Sequence, residues 1–303
     1  MATATIFIFL LYATLALCRS TSSPLAALRV RTDNDNSGSL KVNFSAGPSE
    51  PGTPPSLELV AARRALKKLK FLLGPEALLE LLAGDIDAGN AAWHAILAAS
   101  PPDNPDPTAP DQTPHVVAEI HLTAIPDDCA HHTPVNFTAY NFLAWFTDSA
   151  FNHADKLWAG HPEHFGLQTT PNTDGTMRAE LLEPWGPVLT RSVVPRLAAV
   201  MPGGGVKKPF MKPLPDFPFQ SVGEETLMDG TGAVVGDIHY SWKDLPGKKA
   251  GKACGVEGLL NMWMPSATPD NVKEGITQHI TVEYYNWVKW AYDDIKSGAF
   301  VPS

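Results

Sequence analysis

The chain reads as an α+β fold on three observations. A block of helical periodicity comes first, short apolar runs with irregular connections follow, and one long amphipathic helix closes the sequence. That final run, Asn271 to Ile295, carries apolar or aromatic residues at 276, 280, 284, 287, 288 and 291. Steps of three and four place them on one helical stripe, so the helix is expected to pack against a sheet.

At 303 residues with 44% hydrophobic content, the chain can bury a sizeable core. A net charge of −9 argues against a nucleic-acid partner, because phosphate backbones need a basic face. Arg63, Arg64, Lys67, Lys68 and Lys70 gather on one predicted helix and read as a solvated face.

Residues 1–20 read as a signal peptide. Ile6 to Cys18 is apolar, too short for a membrane span, and is followed by Arg19 and small polar residues. Nothing else is apolar enough to span a bilayer, so a soluble, secreted mature protein is expected. The acceptors Asn43-Phe44-Ser45 and Asn136-Phe137-Thr138 fit a glycoprotein on the secretory route. With Cys18 removed, Cys129 and Cys254 remain, an even number able to pair in an oxidising compartment.

Residues 21–55 are rich in Ser, Asn, Asp, Gly and Pro and read as a flexible arm. Residues 56–100 form a small helical segment. Its first helix stops at Gly74-Pro75, a second covers Glu76 to Leu82, and a third covers Asn90 to Ala99. Residues 101–114 are a Pro-rich linker. The remainder, 115–303, is the expected main domain. His115 to Thr123 alternates like a strand, and Phe137 to Trp145 is dense enough in aromatics for a buried helix. The runs at 181–183, 233–235 and 259–264 suit further strands, and Val200 to Phe219 reads as a Gly/Pro-heavy surface loop.

His279 and Glu283 stand i and i+4 on the final helix, so both side chains leave the same face. An imidazole beside a carboxylate is half of a four-ligand site for a borderline metal such as zinc; a surface hydrogen-bonded pair is the alternative. Seven of the ten histidines fall between His115 and His164. His161-Pro162-Glu163-His164 has the spacing of a turn with exposed histidines rather than of a helix face. Tyr240 and His239 are candidate catalytic groups for delivering a proton, with Tyr140 a third; ordinary strand aromatics are the alternative.

Four segments resemble the 2,4-diacetylphloroglucinol hydrolase family: Lys156-Leu157-Trp158-Ala159-Gly160-His161-Pro162-Glu163-His164, Glu183-Pro184-Trp185-Gly186, Gly258 to Met264, and His279-Ile280-Thr281-Val282-Glu283-Tyr284. The resemblance covers roughly residues 115 to 295. It implies a Bet v 1-like helix-grip main domain, a bound Zn2+, and hydrolysis of the carbon–carbon bond between an acyl group and a phenolic ring. It also implies a metal set of His153, Glu183, His279 and Glu283, with His161 or His164 as substitutes for His153. The expected partner is a small phenolic molecule, and a homodimer is left open as the assembly. Two rivals share the scaffold: a non-enzymatic binding protein for an apolar or phenolic ligand, and a different metal enzyme such as a cyclase or dehydratase.

Overall fold

The computed structural model describes residues 40–45, 57–101, 115–130, 136–174, 176–197, 211, 214–247 and 253–301. The expected signal peptide, most of the Pro-rich linker and most of the loop from Val200 to Phe219 lie outside the described residues.

Among the described residues, eight antiparallel strands form one sheet: β1 (Leu40–Ser45), β2 (His115–Pro126), β3 (Gly166–Pro171), β4 (Met177–Trp185), β5 (Val188–Leu197), β6 (Phe219–Leu227), β7 (Val234–Pro246) and β8 (Ala253–Pro265). Five α-helices among the same residues accompany it: α1 (Leu57–Leu81), α2 (Ala83–Ala99), α3 (Ala139–Asn152), α4 (Ala154–Ala159) and α5 (Asp270–Ser297). The strand order is β1-β2-β8-β7-β6-β5-β4-β3. Two helices thus separate β2 from β3, a continuous meander runs from β3 to β8, β8 closes back on β2, and the long helix follows. That order is the Bet v 1-like helix-grip.

Alternation builds the sheet. In β2, Ala118, Ile120, Leu122 and Ala124 are fully buried while Glu119 and His121 between them are exposed. Helical periodicity builds α5, whose buried positions include Val272, Ile276, Ile280, Tyr284, Trp287, Val288 and Ala291. Each large apolar side chain on that stripe contributes about 1.5–3 kcal/mol of gross burial energy. The helix packs against β1 and β2 near one end of the sheet and β4 near the other, so the sheet wraps around it.

Two expectations change and a third holds. The arm at 21–55 contains a strand: β1 pairs along β2 from Leu40↔Pro126 to Ser45↔His121, with Phe44 buried. Gly74-Pro75 does end the first helical run as expected: Gly74 takes φ 78 and ψ 167, outside helical geometry and open to a residue without Cβ, so α1 is two helices joined at that point. The third helical run begins at Ala83, seven positions before the expected Asn90. This segment is seated firmly on the sheet. Trp93 Nε1 donates to Thr190 Oγ1 at 2.9 Å, and its ring meets Trp185 edge-on at 5.2 Å.

Cys129 follows β2 and Cys254 opens β8. The β2–β8 register brings their Cα atoms to 5.6 Å, and the two form the disulfide anticipated from the cysteine count.

Candidate metal centre beside an apolar cavity

Two glycines set the position of the site. A Cβ on Gly275 of α5 would lie 2.1 Å from Gly186 Cα, and Gly186 itself takes φ +62 in the β4–β5 turn. Helix and hairpin therefore cross in backbone contact. Glu183 lies just before that crossing on β4, and His279 lies one helical turn after it on α5. His161 and His164 come from the turn after α4. Contrary to the exposed turn expected, they are 1% and 0% accessible.

The contacts are specific. His164 Nε2 is 3.3 Å from Glu183 Oε2 and 3.3 Å from Glu283 Oε1, and His279 Nε2 is 3.3 Å from the same Glu183 Oε2. None of these satisfies hydrogen-bond geometry: His164 Nε2 and both ring nitrogens of His279 are buried without a hydrogen-bond partner. Such orphans are rare in a folded protein. A tetrahedral zinc with bonds of about 2.0–2.2 Å has donors about 3.3–3.5 Å apart, and the separations of His164 Nε2 and His279 Nε2 from Glu183 Oε2 match two such edges. His164, Glu183 and His279 thus form a compact donor cluster that fits a divalent cation, with the Glu283 carboxylate beside His164 as a fourth donor that must move closer to complete it.

Tautomers decide between the two turn histidines. His164 Nδ1 faces the Leu157 carbonyl at 3.3 Å, and only an N–H can pair with that oxygen. Loss of the Nε2 proton then directs a lone pair at the space between the two carboxylates, the usual arrangement of a ligating imidazole. His161 Nδ1 instead accepts the Glu163 backbone N–H at 3.0 Å, so Nε2 carries the proton. His161 can also be grouped with Glu163 and His279 by distance, but that tautomer removes its ligand lone pair. Its ring stacks on His279, centroids 4.0 Å apart, and supports that ligand from the side.

The electrostatics run the same way. Burial lowers the His164 pKa, but the Glu183 and Glu283 carboxylates beside its Nε2 outweigh it and lift the group to about 9. Burial raises Glu183, yet the charge of His279 and the adjacent His164 imidazole hold it well below the usual carboxylate range. Burial wins at Glu283 and raises its pKa, so Glu183 is the carboxylate that favours a cation beside it.

Beside this cluster runs a cavity walled by apolar side chains such as Phe142, Phe146, Ile238, Trp242, Met262 and Trp287. Glu183, Glu283, Glu225 and Tyr240 are its chemically active edges. Glu225 carries no signal in the sequence. It is 1% accessible and accepts a hydrogen bond from Ser192 Oγ; burial and then the charge of Glu183 push its pKa up to about 8. Burial and then Tyr284, which meets it edge-on at 5.4 Å, push the Tyr240 pKa well above its ordinary value. Near neutral pH both groups hold their protons.

Other candidates fall elsewhere. His153 is exposed at the α3–α4 junction, its charge acting on Asp294 about three turns of α5 beyond Glu283. It is not part of the cluster, and His164 takes the place assigned to it. His239 points away from the cavity, because Ile238, Tyr240 and Trp242 line it and strand side chains alternate. Its Nε2 pairs with Gln220 Oε1 at 2.9 Å, and Gln220 in turn ties down the Leu214 and Phe217 carbonyls. His239 therefore fastens a loop and reaches no cavity ligand. Tyr140 is 52% exposed.

No family model matches the chain, and no curated protein matches it. Among solved structures it is similar to norcoclaurine synthase from Thalictrum flavum. A point mutant with a transition-state analogue is 14% identical, covering 61% of this chain and 99% of that one at a TM-score of 0.33. The same enzyme with dopamine and hydroxybenzaldehyde is 12% identical, covering 59% and 89% at a TM-score of 0.31. The fold assignment rests on strand order rather than on that likeness. The helix-grip encloses a lined cavity with a polar cluster at its edge, a concavity of the kind in which small molecules are held.

Proposed function

We propose that this is a secreted zinc-dependent hydrolase that cleaves the carbon–carbon bond between an acyl group and a phenolic ring. The observation that carries the reading is the set of 3.3 Å separations around His164 Nε2 and Glu183 Oε2, made by imidazole nitrogens with no hydrogen-bond partner, at the edge of an apolar cavity. Two imidazoles and two carboxylates suit zinc, with His164, Glu183, His279 and Glu283 as its holders. Zinc bound there supplies Lewis acidity to a carbonyl oxygen and to water.

The chain's own groups account for the rest. Apolar walls hold an aromatic ring and exclude bulk water, so charge at the cavity edge acts in a low dielectric. Water adds to the acyl carbon, the bond to the ring carbon breaks, and its electron pair passes onto the ring and its flanking phenolic oxygens. Tyr240 and Glu225 bear protons at that edge: the Tyr240 hydroxyl donates to a phenolic oxygen, and Glu225 delivers a proton to the ring carbon. One water is consumed, giving a carboxylic acid and the deacylated phenol. The Cys129–Cys254 bond supports an oxidising compartment. Incubating purified protein with an acylphloroglucinol and identifying both products tests the reading. Ring and acid in equal amounts are expected; unchanged or cyclised substrate would favour a binding protein or another reaction.

A further inference from the structure

Lys70 was expected on a solvated helix face, yet it is 0% accessible. Its ammonium donates to three backbone carbonyls, those of Trp158 (2.8 Å), His161 (2.7 Å) and His164 (3.0 Å). No carboxylate pairs with it among the described residues. The Trp158 ring lies 5.0 Å from the charge and Phe71 5.8 Å, closing the site from the side. Burying an ammonium costs several kcal/mol unless it is compensated; burial and then the charge of Lys67 lower the Lys70 pKa to about 7, and the three carbonyls accept from its protonated form.

Those carbonyls belong to the end of α4 and to the turn after it, which supplies His164. The same turn is held from the opposite side by α5: Asn286 Nδ2 donates to Gly160 O at 2.6 Å, and Trp287 Nε1 to Leu157 O at 3.3 Å. Leu157 O is also the oxygen that orients His164 Nδ1. We propose that Lys70 is a positioning residue for the metal centre: an ammonium tripod from the N-terminal helical segment that fixes the turn so that His164 Nε2 meets Glu183 and Glu283. This rests on the metal reading above and gives the helical segment a part in the site. Lys suits the task better than Arg because its three donors diverge from one atom, whereas a guanidinium spreads them in a plane.

The test compares wild type, Lys70→Met, Lys70→Arg and Trp93→Phe, the last loosening the same segment at a different anchor. Two readouts are taken on the full chain: zinc affinity, and hydrogen exchange of the Gly160, His164 and Phe165 amides in metal-free protein. Lys70→Met is expected to lose protection at those amides while β2 and β8 keep theirs, and to bind zinc about 10–100-fold more weakly. Lys70→Arg should lose part of both, and decides alone should Lys70→Met fail to fold. Trp93→Phe should leave both within about twofold. Unchanged protection and affinity in the Lys70 variants would overturn the inference, as would a Trp93→Phe loss equal to that of Lys70→Met. Wild-type protein that binds no zinc would overturn the metal reading, and the exchange data would still decide whether Lys70 holds the turn.

Discussion

Gly275 of α5 and Gly186 of the β4–β5 turn cross so closely that a Cβ on the first would lie 2.1 Å from the Cα of the second. The obstruction is backbone, which cannot rotate aside. Alanine favours a helix over glycine by about 1 kcal/mol, but the overlap here acts against it. Gly275→Ala is expected to destabilise by about 1–3 kcal/mol net and to weaken metal binding, since His279 follows one turn later. Urea unfolding and zinc affinity measure both effects. A variant as stable as wild type would show that the crossing is not tight.

The ligand assignment separates two histidines. His164→Ala removes one of four donors and should abolish stoichiometric zinc, whereas exposed His153→Ala should leave zinc content and affinity unchanged. Metal analysis of the two purified variants distinguishes them, and the reverse pattern would restore His153 to the site.

Metal binding should release protons. The folded, metal-free pKa of His164 is raised to about 9 from an ordinary 6.5. This group therefore stabilises the metal-free protein fully below pH 6.5, and that contribution is lost as pH rises through 9. At pH 7 the imidazole is protonated and must lose its proton to ligate. Calorimetric titration in buffers of different ionisation enthalpy should give at least one proton released per zinc at pH 7, with affinity rising up to about pH 9. No proton release would place the metal elsewhere.

Much of this was legible in local pattern. The alternation of Ala118, Ile120, Leu122 and Ala124 and the stripe of α5 follow from period alone, and His279 with Glu283 follows from one helical turn. His164 was not legible. Its turn has a polar surface sequence, and it is buried only because Lys70, Asn286 and Trp287, all remote in the chain, satisfy its carbonyls. Phe44 lies in a polar stretch and becomes core only by pairing with β2. Glu225 shares its face of β6 with Ser221 and Gly223, so no apolar alternation marks it as inward. His239 failed by parity, one residue from Tyr240.

Glu225→Gln keeps shape and an acceptor for Ser192 but removes the proton donor. Zinc content should be unchanged and kcat on an acylphenol should fall by about 10²-fold or more. Steady-state kinetics with metal analysis on the same sample decide it; full activity would remove Glu225 from the mechanism.

The central claim is that His164, Glu183, His279 and Glu283 hold one zinc ion. The most direct measurement is the metal content of protein purified without chelators, wild type beside His279→Ala, by elemental mass spectrometry. The account predicts one zinc per wild-type chain and none in the variant, with the variant still folded. Wild-type protein without stoichiometric metal, or a variant that keeps it, would contradict the account.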